Sequence, residues 1–178
     1  TVFRDFGRQG SSALFSRLVM QSQIAESMPK QSTVGAVFDA AFGVLKQPGM
    51  RDEYVYRNAI TQKILLGRHS LKTATMLSEV RAGTCKADVV VLNGTATAYE
   101  IKSERDSLAR LRNQLRNYSS VFASVNVVVS PLHVREVLAA VPEDVGVLSL
   151  SPRFTLQTEK QAQDRPERTS PLMILELL

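Results

Sequence analysis

The sequence is poor in the residues that build crosslinks and metal clusters. Its 178 residues include one cysteine, Cys85, and two histidines, His69 and His133. A single cysteine excludes an internal disulfide and a zinc site made of several thiolates. Two histidines so far apart exclude the short-spaced His pair of a His-rich metal centre. Tryptophan is absent and aromatics make up 6% of the chain, so base stacking on exposed rings finds no support. No apolar run reaches the ~18 residues of a membrane-spanning helix. Residues 1–10 alternate charged and apolar side chains, unlike the hydrophobic stretch of a secretory signal. No serine sits in a nucleophile-elbow motif. The chain is therefore expected in the cytoplasm, without a membrane partner. Carboxylates, lysines and arginines remain to carry any chemistry.

Those residues are present in ordinary numbers. A hydrophobic fraction of 44% and a charged fraction of 22% describe one globular domain with a small appendage. Lys and Arg total 22 against 17 acids, a net charge of +5. A modest positive excess is compatible with a polyanionic partner and does not establish one.

Periodicity divides the chain into three parts. Residues 1–49 form a helical extension, with helices expected over 11–28 and 33–47, the second ended by Pro48-Gly49. Residues 50–155 carry the main domain. A helix over 51–66 presents Glu53, Tyr56, Ile60 and Ile64 on one stripe, and strands follow over 75–81, 86–92 and 97–103. A helix opens at Ser107 with Leu108, Leu111, Leu115, Tyr118 and Phe122 at three-four spacing. The apolar run 125–129 reads as a strand buried on both faces, followed by a short helix over 131–140 and a last strand over 146–150. Residues 156–178 read as a polar linker and an apolar tail. The expected fold is α/β (α+β), a central mixed sheet flanked by helices in the order αβββαβ, behind a helical extension. The N-terminal helices and the apolar tail are also the expected surfaces for a protein partner or a second copy of the chain.

The hairpin formed by the second and third strands holds the chemistry. Glu100 and Lys102, two apart, share one face of a strand, while Ile101 points to the other. Asp88 opens the run Val89-Val90-Val91-Leu92, where a lone carboxylate needs a partner or a cation. If the turn is only Asn93-Gly94, Asp88 faces Tyr99; with three residues looped out, or a bulge, it faces Glu100. Two facing carboxylates raise each other's pKa, and a hard divalent cation, Mg²⁺ or Mn²⁺, relieves that repulsion. Such a cation activates water, and a neighbouring lysine stabilises charge on a phosphoryl group.

Asp88, the twelve-residue gap and Glu100-Ile101-Lys102 resemble the PD-(D/E)xK phosphodiesterase superfamily, the restriction-endonuclease-like fold. Ala87 stands where the superfamily name has proline, which is not a ligand. Glu53 matches an acid that the superfamily often places near the metal. Gln114 and Tyr118 resemble the QxxxY pattern of its RecB-like branch, where they lie near the site or the nucleic acid. The words Leu65-Leu66-Gly67-Arg68-His69-Ser70, Lys86-Ala87-Asp88-Val89 and Tyr99-Glu100-Ile101-Lys102-Ser103-Glu104 resemble bacterial and phage proteins grouped as the sce7726 family. The resemblance implies a nuclease using Mg²⁺ or Mn²⁺. Asp88, Glu100 and Glu53 would be metal ligands, Lys102 the catalytic lysine, and nucleic acid, DNA before RNA, the substrate.

Lys102, Arg105, Arg110, Arg112 and Arg116 stand against Glu104 and Asp106, five charges to two. This collects the positive excess beside the proposed site, with Arg105 and Arg112 on one helix face and Arg112 and Arg116 four apart, ready for phosphates. Two other readings start from the same residues. One is a catalytically silent nuclease-fold module for nucleic-acid binding or protein assembly; the other is an RNA-cutting toxin.

Overall fold

A computed structural model describes residues 24, 28, 29, 31–68 and 72–170. The helix expected over 11–28, apart from Ile24 and Met28, lies outside the described residues, as do His69 and residues 171–178. The chain divides into two compact units, Thr1–Met50 and Arg51–Leu178. In the first, α1 (Val34–Leu45) starts at Thr33, whose hydroxyl accepts from the Ala36 amide, and gives way to a turn with Gly49 at φ 85°.

The second unit opens on α2 (Glu53–Ile60), capped by the Asp52 carboxylate on the Val55 amide at 3.2 Å. The helix widens into a π-helical stretch, Thr61–Leu65, and closes with an α-turn, Leu66–Arg68. Tyr56, Ile60 and Ile64 of the expected stripe are buried, together with Val55, Ala59 and Leu65, while Glu53 is exposed. Six strands follow in sequence order across one sheet: β1 (Thr75–Ala82), β2 (Cys85–Leu92), β3 (Ala96–Lys102), β4 (Ser124–Val129), β5 (Gly146–Leu150) and β6 (Leu156–Lys160). The first three form an antiparallel meander. β3, β4 and β5 run parallel, joined by crossovers that carry α3 (Leu111–Ser119) and α4 (Val134–Ala140), and β6 returns antiparallel.

The inner strands are apolar on both faces because both faces are covered. On one side Ala98, Val125, Val127, Val129, Val145 and Val147 pack with Leu111, Leu115 and Tyr118 of α3 and Val137 of α4. Tyr118 also meets Phe122 edge-on, ring centres 6.3 Å apart. The edge strands β1 and β6 are largely exposed.

Three expectations change. Residues 156–170 are not a linker: β6 completes the sheet, and the chain beyond it is pinned by backbone bonds from Gln163 to Asp144, Arg165 to Ala123 and Ser170 to Ser120. An edge strand with both faces open carries no apolar alternation, so its sequence looks like a loop. The helix after β3 begins at Leu111 rather than Ser107. The Asp106 carboxylate takes the Ser103 amide and hydroxyl at 2.8 and 2.6 Å, and the Ser107 hydroxyl takes the Ala109 amide, which holds the segment in turns. Arg105 therefore lies in a turn and shares no helix face with Arg112.

Candidate active site

The hairpin turn decides the register. Asn93, Gly94 and Thr95 loop out, with Gly94 at φ 86°, a conformation that glycine adopts without strain, and Asn93 N–H donating to the Thr95 carbonyl. The ladder then pairs Leu92 with Ala96 and Val89 with Tyr99, a register that sets Asp88 towards Glu100. Pairing stops there. The Ile101 N–H donates to Asp88 Oδ2 at 2.7 Å instead of to a strand carbonyl. The Lys86 carbonyl accepts from the Tyr118 hydroxyl. On the other side of β2 the ladder with β1 skips Glu79, held at φ 55°. Asp88 thus sits where β2 is released on both sides.

Glu100 and Lys102 project from β3 towards α3, on the face shared with Ala98. Both are buried, at 1% and 5% exposure. The Lys102 ammonium donates to Glu100 Oε1 at 2.7 Å and to Gln114 Oε1 at 3.1 Å. The Gln114 amide donates to Glu100 Oε1 at 2.6 Å, and the Tyr118 hydroxyl lies 2.7 Å from Glu100 Oε2, its single proton shared with the Lys86 carbonyl. Gln114 and Tyr118, four apart on α3, therefore act together on one carboxylate. The lysine and glutamate charges are buried as a hydrogen-bonded pair, the condition under which burial is tolerated.

Burial first, and then the neighbouring Glu100 charge, push the Asp88 carboxyl up to about 7. Glu53 adds to the rise, while the Ile101 amide and Lys102 oppose it. Burial and Glu100 also raise the Tyr118 phenol, which stays a proton donor at neutral pH.

Glu53 is half exposed on the first turn of α2 and forms an ion pair with Arg57. Among the described residues no three His, Cys, Asp or Glu side chains are grouped to hold a metal. The expected trio of acids is thus a pair, Asp88 and Glu100, with Glu53 acting on Asp88 through its charge. Arg112 and Arg116 stand exposed on the outer side of α3, away from the carboxylate network, and Arg105 is exposed in the preceding turn.

Two contacts carried no sequence signal: the partners of Arg51 and the unpaired hydroxyl of Tyr56. Arg51, 2% exposed, donates to the carbonyls of Leu150, Ser151 and Pro152 at 3.0, 2.7 and 2.8 Å, tying the start of α2 to the end of β5. Tyr56, wholly buried on α2, keeps its hydroxyl without a hydrogen bond of normal geometry beside Ser130. Burial pushes that phenol up to about 12.

Sheet and helices together define a mixed α/β protein with a six-stranded mixed sheet. A protein of unknown function from Silicibacter pomeroyi has a similar fold, with a TM-score of 0.51 at 18% identity over 74% of this chain and 81% of that one. The chain belongs to the bacteriophage P4 protein cII family, whose sequence pattern matches residues 46–178. Protein cII of Enterobacteria phage P4 is 41% identical over 80 residues, which span 44% of this chain and 30% of that protein. No helix among the described residues is long and apolar enough to cross a membrane.

Proposed function

We propose that the chain is a metal-dependent phosphodiesterase of nucleic acid, acting on DNA in preference to RNA, on a restriction-endonuclease-like core. The observation that carries this reading is the buried Glu100–Lys102 pair, held by Gln114 and Tyr118, with Asp88 in facing register. The donor set suits a hard cation. Two carboxylates share one corner of the sheet, and one of them is driven towards neutrality by burial and then by the other's charge. Asp88 and Glu100 would hold Mg²⁺ or Mn²⁺, with Glu53 as the acid nearest in charge. The cation would supply Lewis acidity and a more acidic water.

The chain's own residues do the rest. Gln114 and Tyr118 fix the Glu100 carboxylate, so its orientation needs no rearrangement when substrate arrives. Lys102 is positioned by two acceptors, Glu100 and Gln114. It orients the attacking water or neutralises charge on the phosphoryl oxygens. The corner lies at the carboxyl end of β3, beside the parallel strands β4 and β5, where open α/β sheets hold ligands. Arg105, Arg112 and Arg116 would take backbone phosphates, which position a strand without reading its sequence.

The saturation of Glu100 and Lys102 by protein partners favours a second reading, a nuclease-fold module that binds nucleic acid and does not cut it. Incubating the chain with plasmid, linear DNA and tRNA in Mn²⁺, beside Asp88→Asn, separates the two. Cutting that disappears in the variant supports the nuclease, and the substrate cut identifies DNA or RNA. Retarded mobility without cutting supports the binding module.

A further inference from the structure

The sheet carries a second concavity, on the face opposite Glu100 and Lys102. Thr97 and Tyr99 alternate with Ala98 and Glu100 along β3, so their side chains reach the α2 side. There they line a cleft of about 250 Å³ with Ile64, Asn126, Leu148 and Gln161. Ser124 and Asn126, at the start of β4, place it at the opposite end of the parallel strands from Lys102.

Asn126 is the unusual residue. It interrupts an otherwise all-valine run, is 8% exposed, and its carboxamide makes no hydrogen bond with another described residue. The amide opens into the cleft, where water or a ligand can satisfy it. A Cβ on Gly146, its partner on β5, would lie 2.2 Å from Asn126 Oδ1 and 2.8 Å from the Ala162 backbone nitrogen. Glycine at 146 is what leaves room to seat the amide in the cleft.

We propose that this cleft binds an uncharged nucleobase, presented by a free nucleoside or by an unpaired position of a strand. Among the described residues the lining contains no cation, and Asp164 adds a carboxylate, so a phosphate is disfavoured. Ile64 and Leu148 offer apolar contact and Tyr99 a ring, while Asn126 and Gln161 offer paired donor and acceptor groups. Apolar faces and polar edges are the description of a base, and carboxamides are the side chains that read such edges in pairs. A monosaccharide, with hydroxyls around its ring, would press them on Ile64 and Leu148. The volume lies below the ~300–1,000 Å³ of drug-sized ligand sites, which suits one ring system. This inference does not depend on the nuclease reading.

The test is a nuclear magnetic resonance titration of the full chain with adenosine, uridine, D-ribose and a short single-stranded oligonucleotide, following the Asn126 side-chain amide. A nucleoside is expected to shift it saturably. Asn126→Leu and Gln161→Ala each weaken binding about tenfold or more, the loss expected for a paired edge contact, and Asp88→Asn leaves it unchanged. Competition by the oligonucleotide for the same resonance assigns the base to a strand; its failure assigns the site to free nucleosides. The proposal is overturned if no nucleoside moves the Asn126 amide, if ribose acts as strongly as adenosine, or if both variants bind like the parent. Gln161 is exposed, so Gln161→Ala decides the matter even if the Leu variant does not fold.

Discussion

At the scale of single residues, Asp88 ties stability to pH. Its carboxyl titrates near 7 when folded and near ~3.9 when unfolded. The folded state therefore binds the proton more tightly. The associated stability is present below about pH 4, falls as pH rises through 7, and changes little beyond. Urea midpoints between pH 4 and 8 should show that decline, and Asp88→Asn should remove it while keeping an acceptor for the Ile101 amide. Tyr118→Phe removes the donor shared by Glu100 Oε2 and the Lys86 carbonyl. It should destabilise the fold by about 1–3 kcal/mol, the range for a buried acceptor left unsatisfied, measured by chemical denaturation. The register that sets Asp88 towards Glu100 was legible as one of two, because a one-residue slip moves a strand's whole set of side chains. Nothing in the spacing told a two-residue from a three-residue turn; Gly94 and Thr95 settle it.

At the scale of elements, α3 shows how far periodicity reaches. Leu111, Leu115 and Tyr118 were legible as its buried stripe, and Gln114 follows from their spacing. Its start was not, because Asp106 and Ser107 compete for the backbone through local bonds that no apolar period records. Arg51 was invisible for a related reason: its partners are three carbonyls about a hundred positions away. Arg51→Met should cost at least ~1.5–3 kcal/mol, the worth of a hydrogen bond to a charged group, and should loosen α2 against β5. Faster amide exchange at Val55 and Tyr56 would report that loosening.

At the scale of the whole molecule, the order helix, three strands, helix, strand was legible because inner strands and covering helices carry strong apolar patterns. The end of the domain was not. β6 is an exposed edge with no such pattern, yet it covers β5, a strand buried along its length. A chain ending at residue 155 would expose the unpaired edge of an apolar strand, which invites association. It should elute as aggregate in size-exclusion chromatography, whereas the full chain should not. The sheet also separates two places, a charged corner towards α3 and a cleft without cations among its described lining residues towards α2, so losses at one should leave the other intact.

The most direct measurement on the charged corner is the rate of Mn²⁺-dependent cleavage of DNA by the parent chain and by Lys102→Met, each shown to be folded by circular dichroism. Loss of the lysine should lower the rate by about 10²–10⁴-fold, the range for a positioned acid–base or charge-stabilising group, with binding to the same DNA retained. Equal rates for the two proteins, or no cleavage by the parent, would contradict a catalytic role for the Asp88–Glu100–Lys102 corner.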